Sequence, residues 1–404
     1  MTISTDSIEE AEERIKGYIK KTEILRGGVL NDLCGCNVHL KLENFQKTGS
    51  FKLRGAANRL LSLSTDEKEK GIITPSTGNH GLAVAYIASL LNLKCTVVLP
   101  KNAKRSKIDA IKRYNIKCEL FGDTYDDAFQ RAGELRKVND LIMINSFEDE
   151  GIIAGSGTLA KEVVDELGNV NTILVPVGSG NLLASTIVAL KDRNIKVVGV
   201  EPEGAASMLA SMKNGRPTTI SRLDTIADGL VAKHPGIKPF NIIKESLKKE
   251  DIVTVSDNEI VSTLLLLLER KKILVEPSGA AGLAALLYHK VPVKEDDNVA
   301  VLITGGNIEL SDLAYIIEKR ASSEGRRAAI SLVVKDTPQI VQNIMDILGK
   351  YGLILEYVYA DRYTRVAPIG SCELRINVIA TQRDSIEKSV KELRDQGYKV
   401  TISY

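Results

Sequence analysis

Apolar residues follow two different periods between about residue 38 and residue 320. Short runs rich in β-branched residues predict strands, and longer stretches with an apolar residue every three or four positions predict helices. The predicted strands lie at 38–42, 71–75, 95–99, 117–121, 141–145, 172–177, 196–200 and 298–303, and the predicted helices include 79–91, 101–114, 125–137, 182–191 and 278–289. Because strands and helices alternate along the chain, we expect an α/β fold of parallel sheets with helices on both faces.

The two ends of the chain carry other patterns. Near the N-terminus, apolar residues at helical spacing predict an amphipathic helix, with Ile8, Ala11, Ile15 and Ile19 on its apolar face. After a polar interruption at 322–327, the pattern predicts the order βαββαβ, the ferredoxin-like plan, at 329–334, 338–349, 353–360, 372–380, 385–396 and 399–403. We therefore predict a larger α/β domain at 1–321, with a smaller subdomain at about 48–148, and a second domain at 328–404.

Composition narrows the class of protein. The chain has 404 residues, of which 44% are hydrophobic and 26% charged, as in ordinary globular proteins. A net charge of +2, no Trp and only 4% aromatic residues argue against a nucleic-acid partner. The longest apolar run, at 264–268, is too short to span a bilayer, and the polar N-terminus lacks the order of a signal peptide. We predict a cytoplasmic protein with no membrane partner.

Five cysteines stand at 34, 36, 95, 118 and 372. Cys34 and Cys36 have the spacing of a metal or redox pair, but no second pair or histidine cluster accompanies them. We interpret all five as reduced structural thiols and predict no metal among them.

Lys52 lies where a charged lysine is disfavoured. Ser50 is a typical N-cap residue and 51–63 has helical spacing, so Lys52 falls in the first turn of a predicted helix. A cation there faces the positive end of the helix dipole, at a cost of about 0.3–1 kcal/mol. Arg54 is two residues away, and no acidic residue lies between Lys47 and Arg54. We expect the helix dipole and the Arg54 charge to lower the pKa of Lys52 and favour a neutral amine, which is a nucleophile and a base.

Three further segments directly follow predicted strands, at the edge where parallel sheets bind ligands. They read Ser-Thr-Gly-Asn-His-Gly at 76–81, Gly-Ser-Gly-Asn-Leu at 178–182 and Thr-Gly-Gly-Asn at 304–307. The first two open predicted helices, whose free backbone N–H groups suit a carboxylate at 76–81 and a phosphate at 178–182. Spacing alone also allows a plain capped turn at 76–81 and a tight glycine turn at 304–307.

The loop at 178–182 leaves a second phosphate-binding interpretation open. No Lys follows it, which excludes a Walker loop. Gly178 and Gly180 match the first two glycines of a dinucleotide fingerprint and Glu201 ends the next strand, but Leu183 stands where the third glycine belongs. A nicotinamide-dependent dehydrogenase is therefore a distant alternative.

The segment Lys-Thr-Gly-Ser-Phe-Lys-Leu-Arg-Gly at 47–55 resembles, almost residue for residue, the signature of threonine dehydratases and serine racemases. These are fold-type II enzymes of pyridoxal phosphate. The three segments above also match that family, as do 225–230 and 276–282, which spacing alone predicts as loops. The resemblance covers about residues 11–320. It implies two parallel-sheet subdomains and pyridoxal 5′-phosphate as the cofactor.

The resemblance also implies roles for the matching residues. Lys52 holds the cofactor as a Schiff base and removes the Cα proton of the substrate, Asn79 bonds the ring hydroxyl, and Thr304 meets the pyridine nitrogen. The cofactor-binding residues predicted in this way are Phe51, Lys52, Asn79, Gly178, Ser179, Gly180, Asn181, Leu182 and Thr304, and the substrate-binding residues are Ser76, Thr77, Gly78, Asn79 and His80. Ser179 and Asn181 replace two glycines of the family's usual phosphate-binding run. The resemblance therefore implies the phosphate site but not the family's backbone amide geometry there.

These residues imply an ammonia-lyase acting on threonine or serine. A neutral hydroxyl at Thr304 leaves the ring nitrogen unprotonated, which favours β-elimination. Threonine then gives 2-oxobutanoate and ammonia, a reaction of amino-acid metabolism that includes isoleucine biosynthesis. Thr77 puts a hydroxyl where dehydratases usually have Ala and racemases have Ser. Because a hydroxyl on the opposite face of the ring can return a proton, an amino-acid racemase using Lys52 and Thr77 is the nearest alternative.

The domain at 328–404 resembles an ACT domain, a regulatory module of amino-acid enzymes. Gln339 stands where effector-binding ACT domains commonly have Gly. The sequence therefore leaves two roles open for this domain, the binding of an amino-acid effector and the pairing of subunits. We expect a homodimer or homotetramer. A catalytically inactive amino-acid sensor built around this domain is a further alternative.

Serine racemases bind a divalent ion at the segment that matches Glu201, Ala205 and Ser207. They carry Asp where this chain has Ser207, and the loss of one carboxylate weakens a hard-cation site. The prediction therefore includes no metal.

Overall fold

The computed structural model describes residues 3–404. The chain divides into two compact units, one ending at Ile308 and the other spanning Glu309–Tyr404. The helix Leu310–Ser323 belongs to the second unit. The predicted domain boundary between 321 and 328 stays a prediction.

The first unit contains thirteen of the described α-helices and ten of the described strands. Its strands are β1 Ile24–Arg26, β2 Asn37–Leu42, β3 Ile72–Pro75, β4 Cys95–Leu99, β5 Lys117–Leu120, β6 Ile142–Met143, β7 Thr172–Pro176, β8 Lys196–Pro202, β9 Ile252–Val255 and β10 Asn298–Ile303. Its helices are α1 Thr5–Ile15, α2 Val29–Cys34, α3 Lys52–Leu61, α4 Thr65–Lys70, α5 Asn79–Leu90, α6 Arg105–Lys112, α7 Tyr125–Asn139, α8 Glu150–Leu167, α9 Asn181–Ala189, α10 Ser207–Asn214, α11 Ile237–Ser246, α12 Asp257–Leu266 and α13 Pro277–Leu287.

Two mainly parallel sheets organise this unit. The larger has the strand order β1-β2-β10-β7-β8-β9, with only β1 antiparallel to its neighbour, and the smaller has the parallel order β5-β4-β3-β6. All five residues of β7 are buried, as expected for a parallel strand covered on both faces. The predicted α/β fold with two parallel-sheet subdomains is confirmed, and the smaller sheet lies within the predicted subdomain at 48–148.

Each sheet has its own apolar core. Leu183 and Val175 belong to the core of the larger sheet, and Val97 and Leu53 belong to that of the smaller one. The predicted apolar face of the N-terminal helix is confirmed at Ile8, Ala11 and Ile15, which are buried, but Ile19 lies outside α1, which ends at Ile15. The loop prediction for 276–282 was wrong, because α13 begins at Pro277, as the helix prediction for 278–289 had indicated.

The second unit consists of α14 Leu310–Ser323, β11 Arg327–Lys335, α15 Pro338–Lys350, β12 Ile354–Asp361, β13 Ser371–Ile379, α16 Arg383–Asp395 and β14 Val400–Ser403. Its four strands form an antiparallel sheet in the order β12-β13-β11-β14. Alternate residues of β11 are buried, with Ile330 and Leu332 in the core of this unit. The predicted βαββαβ order from β11 onward is confirmed, and its assignment as an ACT domain stays a prediction.

Two further properties bear on the class of protein. No helix in the described part of the chain is both long and apolar enough to cross a bilayer. All five cysteines are free thiols, and burial raises the pKa of Cys34 to about 12 and that of Cys36 to about 11.

Candidate active site

A single cavity of about 590 Å³ gathers the segments that follow β3, β7 and β10. These strands end at one edge of their sheets, where parallel folds bind ligands. The cavity is lined by all thirteen residues that the sequence predicted for the site: Phe51, Lys52, Ser76, Thr77, Gly78, Asn79, His80, Gly178, Ser179, Gly180, Asn181, Leu182 and Thr304. The structure therefore brings them together, while their individual roles stay predictions.

The turn before Lys52 is held by backbone bonds. Lys52 is the first residue of α3, as predicted, but the N-cap is Phe51 and the prediction of Ser50 as the cap was wrong. The Phe51 N–H donates to Thr304 O at 3.0 Å, and the Gly306 N–H donates to Gly49 O at 2.9 Å. These bonds attach the start of α3 to the loop after β10.

Burial sets the protonation of Lys52. It lowers the pKa of the amine from 10.5 to about 8, and the Glu276 carboxylate acts in the opposite direction. The predicted lowering is confirmed, but the predicted contribution of Arg54 was wrong. The Arg54 guanidinium is fully buried and bonds to both Glu43 and Glu162 at 2.8 Å, so its charge is compensated.

The loop at 76–81 closes the first turn of α5. Ser76 Oγ accepts from the Gly81 N–H at 2.8 Å and from the Gly78 N–H at 3.1 Å, while the N-cap residue of α5 is Gly78. Thr77 is exposed and lines the cavity. Burial and the nearby Lys52 charge lower the pKa of His80 to about 3, so its ring is neutral at physiological pH.

Asn79 is fixed by a chain of side-chain hydrogen bonds. Its Nδ2 donates to Glu276 Oε1 at 2.9 Å and Oε2 at 3.0 Å, and its Oδ1 accepts from Asn307 Nδ2 at 2.8 Å. Asn307 Nδ2 also donates to Thr48 O at 2.9 Å. These bonds orient the Asn79 amide and join the segments at 47–55, 76–81, 276–282 and 304–307.

The loop at 178–182 brings backbone to the cavity in place of side chains. Gly180 has φ +93°, a left-handed conformation that favours glycine, and a Cβ there would collide with Met208. A Cβ on Gly178 would lie 3.1 Å from Leu230 Cα. Asn181 begins α9, whose first N–H groups have no partner within the helix. The loop is therefore a cradle of amides at a helix N-terminus.

Several residues of the cavity have no role in the sequence-based prediction. At its mouth Lys107 Nζ donates to Asp228 Oδ2 at 2.8 Å, and Lys233 forms an ion pair with Asp126. Glu276 belongs to a family-like segment, but the sequence assigns it no task. Local spacing carries no signal for these contacts, because the partners come from distant parts of the chain.

Residues 15–305 match the model of the pyridoxal-phosphate dependent enzyme family. The chain belongs to this family. Its α/β core of parallel sheets is thus a fold-type II structure, with an additional antiparallel sheet near the C-terminus.

Relatives of known name narrow the comparison. The chain is 34% identical over 402 residues to the L-threonine ammonia-lyase of Thermotoga maritima, an alignment that covers 99% of each protein. It is 37% identical over 319 residues to the catabolic L-threonine dehydratase of Escherichia coli strain K12, covering 78% of this chain and 96% of that protein. The solved serine racemase of Dictyostelium discoideum is similar with a TM-score of 0.72 and 37% identity, over 77% of this chain and 100% of that one.

The residues of the cavity fit pyridoxal phosphate, the cofactor of this family. Lys52 offers a half-buried amine with a lowered pKa, which suits covalent attachment. The amide cradle at Gly178 and Gly180 has the chemistry of a phosphate site. Thr304, only 4% exposed, adds an uncharged side chain to the cavity lining.

Glu201 does not face this cavity as a ligand-binding carboxylate. Its Oε1 and Oε2 accept from the Met208 and Leu209 N–H groups, both at 2.8 Å, and burial raises its pKa to about 8. The dehydrogenase alternative therefore loses the acidic residue that it required. Within residues 3–404, no group of three or more His, Cys, Asp or Glu side chains is arranged to hold a metal ion.

Proposed function

We propose that this chain is a threonine ammonia-lyase, which converts threonine to 2-oxobutanoate and ammonia with pyridoxal phosphate as cofactor. The observation that carries the proposal is the convergence of the lysine amine, the loop at 76–81 and the α9 amide cradle in one cavity. The end-to-end alignment with a named L-threonine ammonia-lyase supports threonine as the substrate.

Lys52 is the central residue of the proposed mechanism. Its Nζ is the attachment point of the cofactor, and as a free amine it takes the proton from the substrate Cα. When bound, pyridoxal phosphate supplies an electron-withdrawing π system that stabilises negative charge at that carbon. The β-hydroxyl then leaves with a proton as water, and the released enamine takes up water to give 2-oxobutanoate and ammonia. A pKa of about 8 leaves a usable neutral fraction of the amine near neutral pH.

Other side chains orient the reacting groups. Asn79, held by Glu276 and Asn307, presents an already positioned amide to the cofactor ring. Thr304 would place a hydroxyl near the ring nitrogen of the bound cofactor. Because a hydroxyl carries no negative charge, it would not stabilise a protonated ring nitrogen and would favour elimination. The free N–H groups at the start of α5 suit the carboxylate of the substrate.

The test is release of 2-oxo acid from threonine, serine and a bulkier 3-hydroxy amino acid. We expect 2-oxobutanoate from threonine with the wild-type protein and none with Lys52→Ala, and Lys47→Ala, which removes an exposed lysine of the same segment, serves as the control. Absence of 2-oxo acid from the whole panel, or undiminished release by Lys52→Ala, would refute the proposal. The first outcome would favour the amino-acid sensor.

Racemisation is the second candidate, and Thr77 is the observation that favours it. Thr77 belongs to the loop at 76–81 and lines the cavity, and a solved serine racemase is similar over 77% of this chain. Chiral analysis of serine after long incubation tests this candidate. D-serine that forms with wild type and disappears in Thr77→Val would support it, whereas serine that stays entirely L would exclude it.

We further propose that residues 1–321 form the catalytic domain and 328–404 an ACT-like regulatory domain. The βαββαβ order and the antiparallel sheet support this assignment. The proposal includes a cytoplasmic homodimer or homotetramer, an amino-acid effector and a place in isoleucine biosynthesis.

A further inference from the structure

Lys107 occupies an unusual position at the mouth of the cavity. It lies on α6, and its side chain packs against the backbone of the loop that we assign to the substrate carboxylate. A Cβ built on Gly78 would lie 3.2 Å from Lys107 Nζ and 3.4 Å from its Cδ. The lysine side chain is 21% exposed, so its ammonium is in partial contact with the cavity and with solvent.

The carboxylate loop has no charge of its own. Its members are Ser, Thr, Gly, Asn and a histidine whose pKa is lowered to about 3. Among the described residues that line the cavity, lysine occurs at positions 52, 107 and 233. Lys52 is committed to the cofactor in the proposed mechanism. Lys107 and Lys233 are each paired with an aspartate, and it is Lys107 that packs against Gly78 of the loop. Lys107 is therefore the cation placed to complement a substrate carboxylate.

The partner of Lys107 limits that charge. Asp228 Oδ2 accepts from Lys107 Nζ at 2.8 Å across the cavity mouth, and the Asp228 side chain is 56% exposed. Both residues act on the buried Glu276, whose pKa Asp228 raises and Lys107 lowers. An incoming carboxylate would meet the attraction of Lys107 and the repulsion of Asp228 at the same place.

We propose that Lys107 binds the carboxylate of the amino-acid substrate and that Asp228 competes with the substrate for the same ammonium. This inference rests on the proposed function, because it takes the loop at 76–81 as the carboxylate site. It adds a specificity residue to that site, selecting anionic over neutral ligands. The ion pair keeps Lys107 at the mouth until substrate binds.

Removing the charge of Lys107 and removing the charge of Asp228 should have opposite effects on carboxylate binding. Loss of the Lys107 charge removes attraction and weakens carboxylate binding, whereas loss of the Asp228 charge removes repulsion and strengthens it. A purely structural ion pair joining α6 to the loop at 225–230 behaves differently. Breaking such a pair from either side disturbs the same contact, so both variants would shift binding in the same direction.

The experiment measures the Kd of propionate and of propionamide on the holoenzyme by ligand-observed NMR. The two probes have nearly the same shape and differ in charge. The variants are Lys107→Gln, Lys107→Arg and Asp228→Asn, with Lys112→Gln as the control because Lys112 is an exposed lysine of the same helix. Cofactor affinity is measured for each variant, which separates an effect at the carboxylate site from an effect at the phosphate cradle.

We expect Lys107→Gln to weaken propionate binding about tenfold and Asp228→Asn to strengthen it about threefold. Lys107→Arg should stay within about threefold of wild type. Propionamide and cofactor affinity should not change in any variant. Unchanged propionate binding in Lys107→Gln, or shifts of the same sign in Lys107→Gln and Asp228→Asn, would overturn the proposal.

Three further outcomes are distinguishable. If Lys107→Gln does not fold, the sign of the Asp228→Asn effect on propionate binding decides between the two roles of the ion pair. If the wild type shows the expected propionate pattern but releases no 2-oxo acid from any 3-hydroxy amino acid, the carboxylate site stands and the proposed function fails. If the enzyme turns over threonine without the propionate pattern, the proposed function stands and the role of Lys107 fails.

Discussion

A buried amine loses part of its charge because low-dielectric surroundings favour the neutral form. For Lys52 this effect exceeds the opposing pull of the Glu276 carboxylate and brings the pKa to about 8. At pH 7 about a tenth of such an amine is neutral, compared with less than about a thousandth of an ordinary lysine. The environment that suits Lys52 to its role therefore lowers the stability of the folded protein, because at pH 7 most of the amine is still protonated in a site that disfavours charge.

That conflict predicts a stability effect in the cofactor-free protein. Lys52→Met should raise the free energy of unfolding by roughly 1–3 kcal/mol at pH 7, because the folded chain no longer holds a protonated amine in a buried site. The folded pKa lies below the unfolded one, so the unfolded state binds more protons between pH 8 and 10.5 and wild-type stability rises with pH there. The difference between variant and wild type should therefore shrink as pH increases from 8.

The measurement is urea unfolding at pH 7 and pH 9.5, followed by circular dichroism because the chain has no Trp. Lys47→Met removes an exposed lysine of the same segment and is the control. A Lys52→Met variant no more stable than wild type at pH 7 would contradict the argument.

At the scale of elements, buried charges hold α3 against its neighbours. Arg54 of α3 bonds to Glu43, which follows β2, and to Glu162 of α8, while Lys41 of β2 bonds to Glu162 at 2.9 Å. Lys41 Nζ also donates to Thr22 O at 2.7 Å. Such a network has little net effect on stability when every member is paired, but the loss of one member leaves a buried charge uncompensated.

Arg54→Met should therefore lower the free energy of unfolding by about 3–5 kcal/mol. Arg59→Met, on the same helix, removes a pair between Arg59 and Asp149 whose side chains are 19% and 14% exposed, and should cost about 1 kcal/mol. Urea unfolding of both variants checks the difference. Equal losses would mean that the Arg54 network does not anchor α3.

The start of α9 gives a prediction about the cofactor. Gly180→Ala should weaken pyridoxal phosphate binding at least about tenfold, because a Cβ there requires a strained φ and displaces Met208 from behind the amide cradle. Gly168→Ala is a matched control, since Gly168 has φ +72° but no atom near a built Cβ. Equilibrium dialysis of the cofactor-free proteins gives the affinities. If both variants bind equally well, the cradle does not depend on glycine at 180.

At the scale of the molecule, strong local patterns predicted most of the architecture. Strands β4 and β10 have the predicted bounds, because four of five residues in β4 and five of six in β10 are apolar. Strands β1 and β9, with three and four residues, were not predicted.

Contacts between distant segments set the limit of prediction from sequence. Asn79 and Glu276 are 197 residues apart, and Lys107 and Asp228 are 121 apart. No local spacing encodes such pairs. The prediction of Ser50 as the cap of α3 was wrong in a similar way. The N-cap is Phe51, whose N–H donates to Thr304 O in the loop after β10, a contact that local spacing does not encode.

The division of the chain into two units yields a final prediction. Every described residue that lines the cavity lies between 51 and 304, within the first unit, and the Escherichia coli dehydratase aligns over 96% of its own length to only 78% of this chain. A truncated chain ending at residue 308 should therefore bind the cofactor and release 2-oxobutanoate from threonine within about threefold of the full chain, because the second unit supplies no described group to the cavity. Sedimentation and turnover with and without added isoleucine or valine are measured on both chains. If the truncated chain folds and binds cofactor but has lost turnover, the second unit takes part in catalysis. If oligomer size and the response to both amino acids are the same in the two chains, the unit is neither the assembly module nor the effector module that we propose.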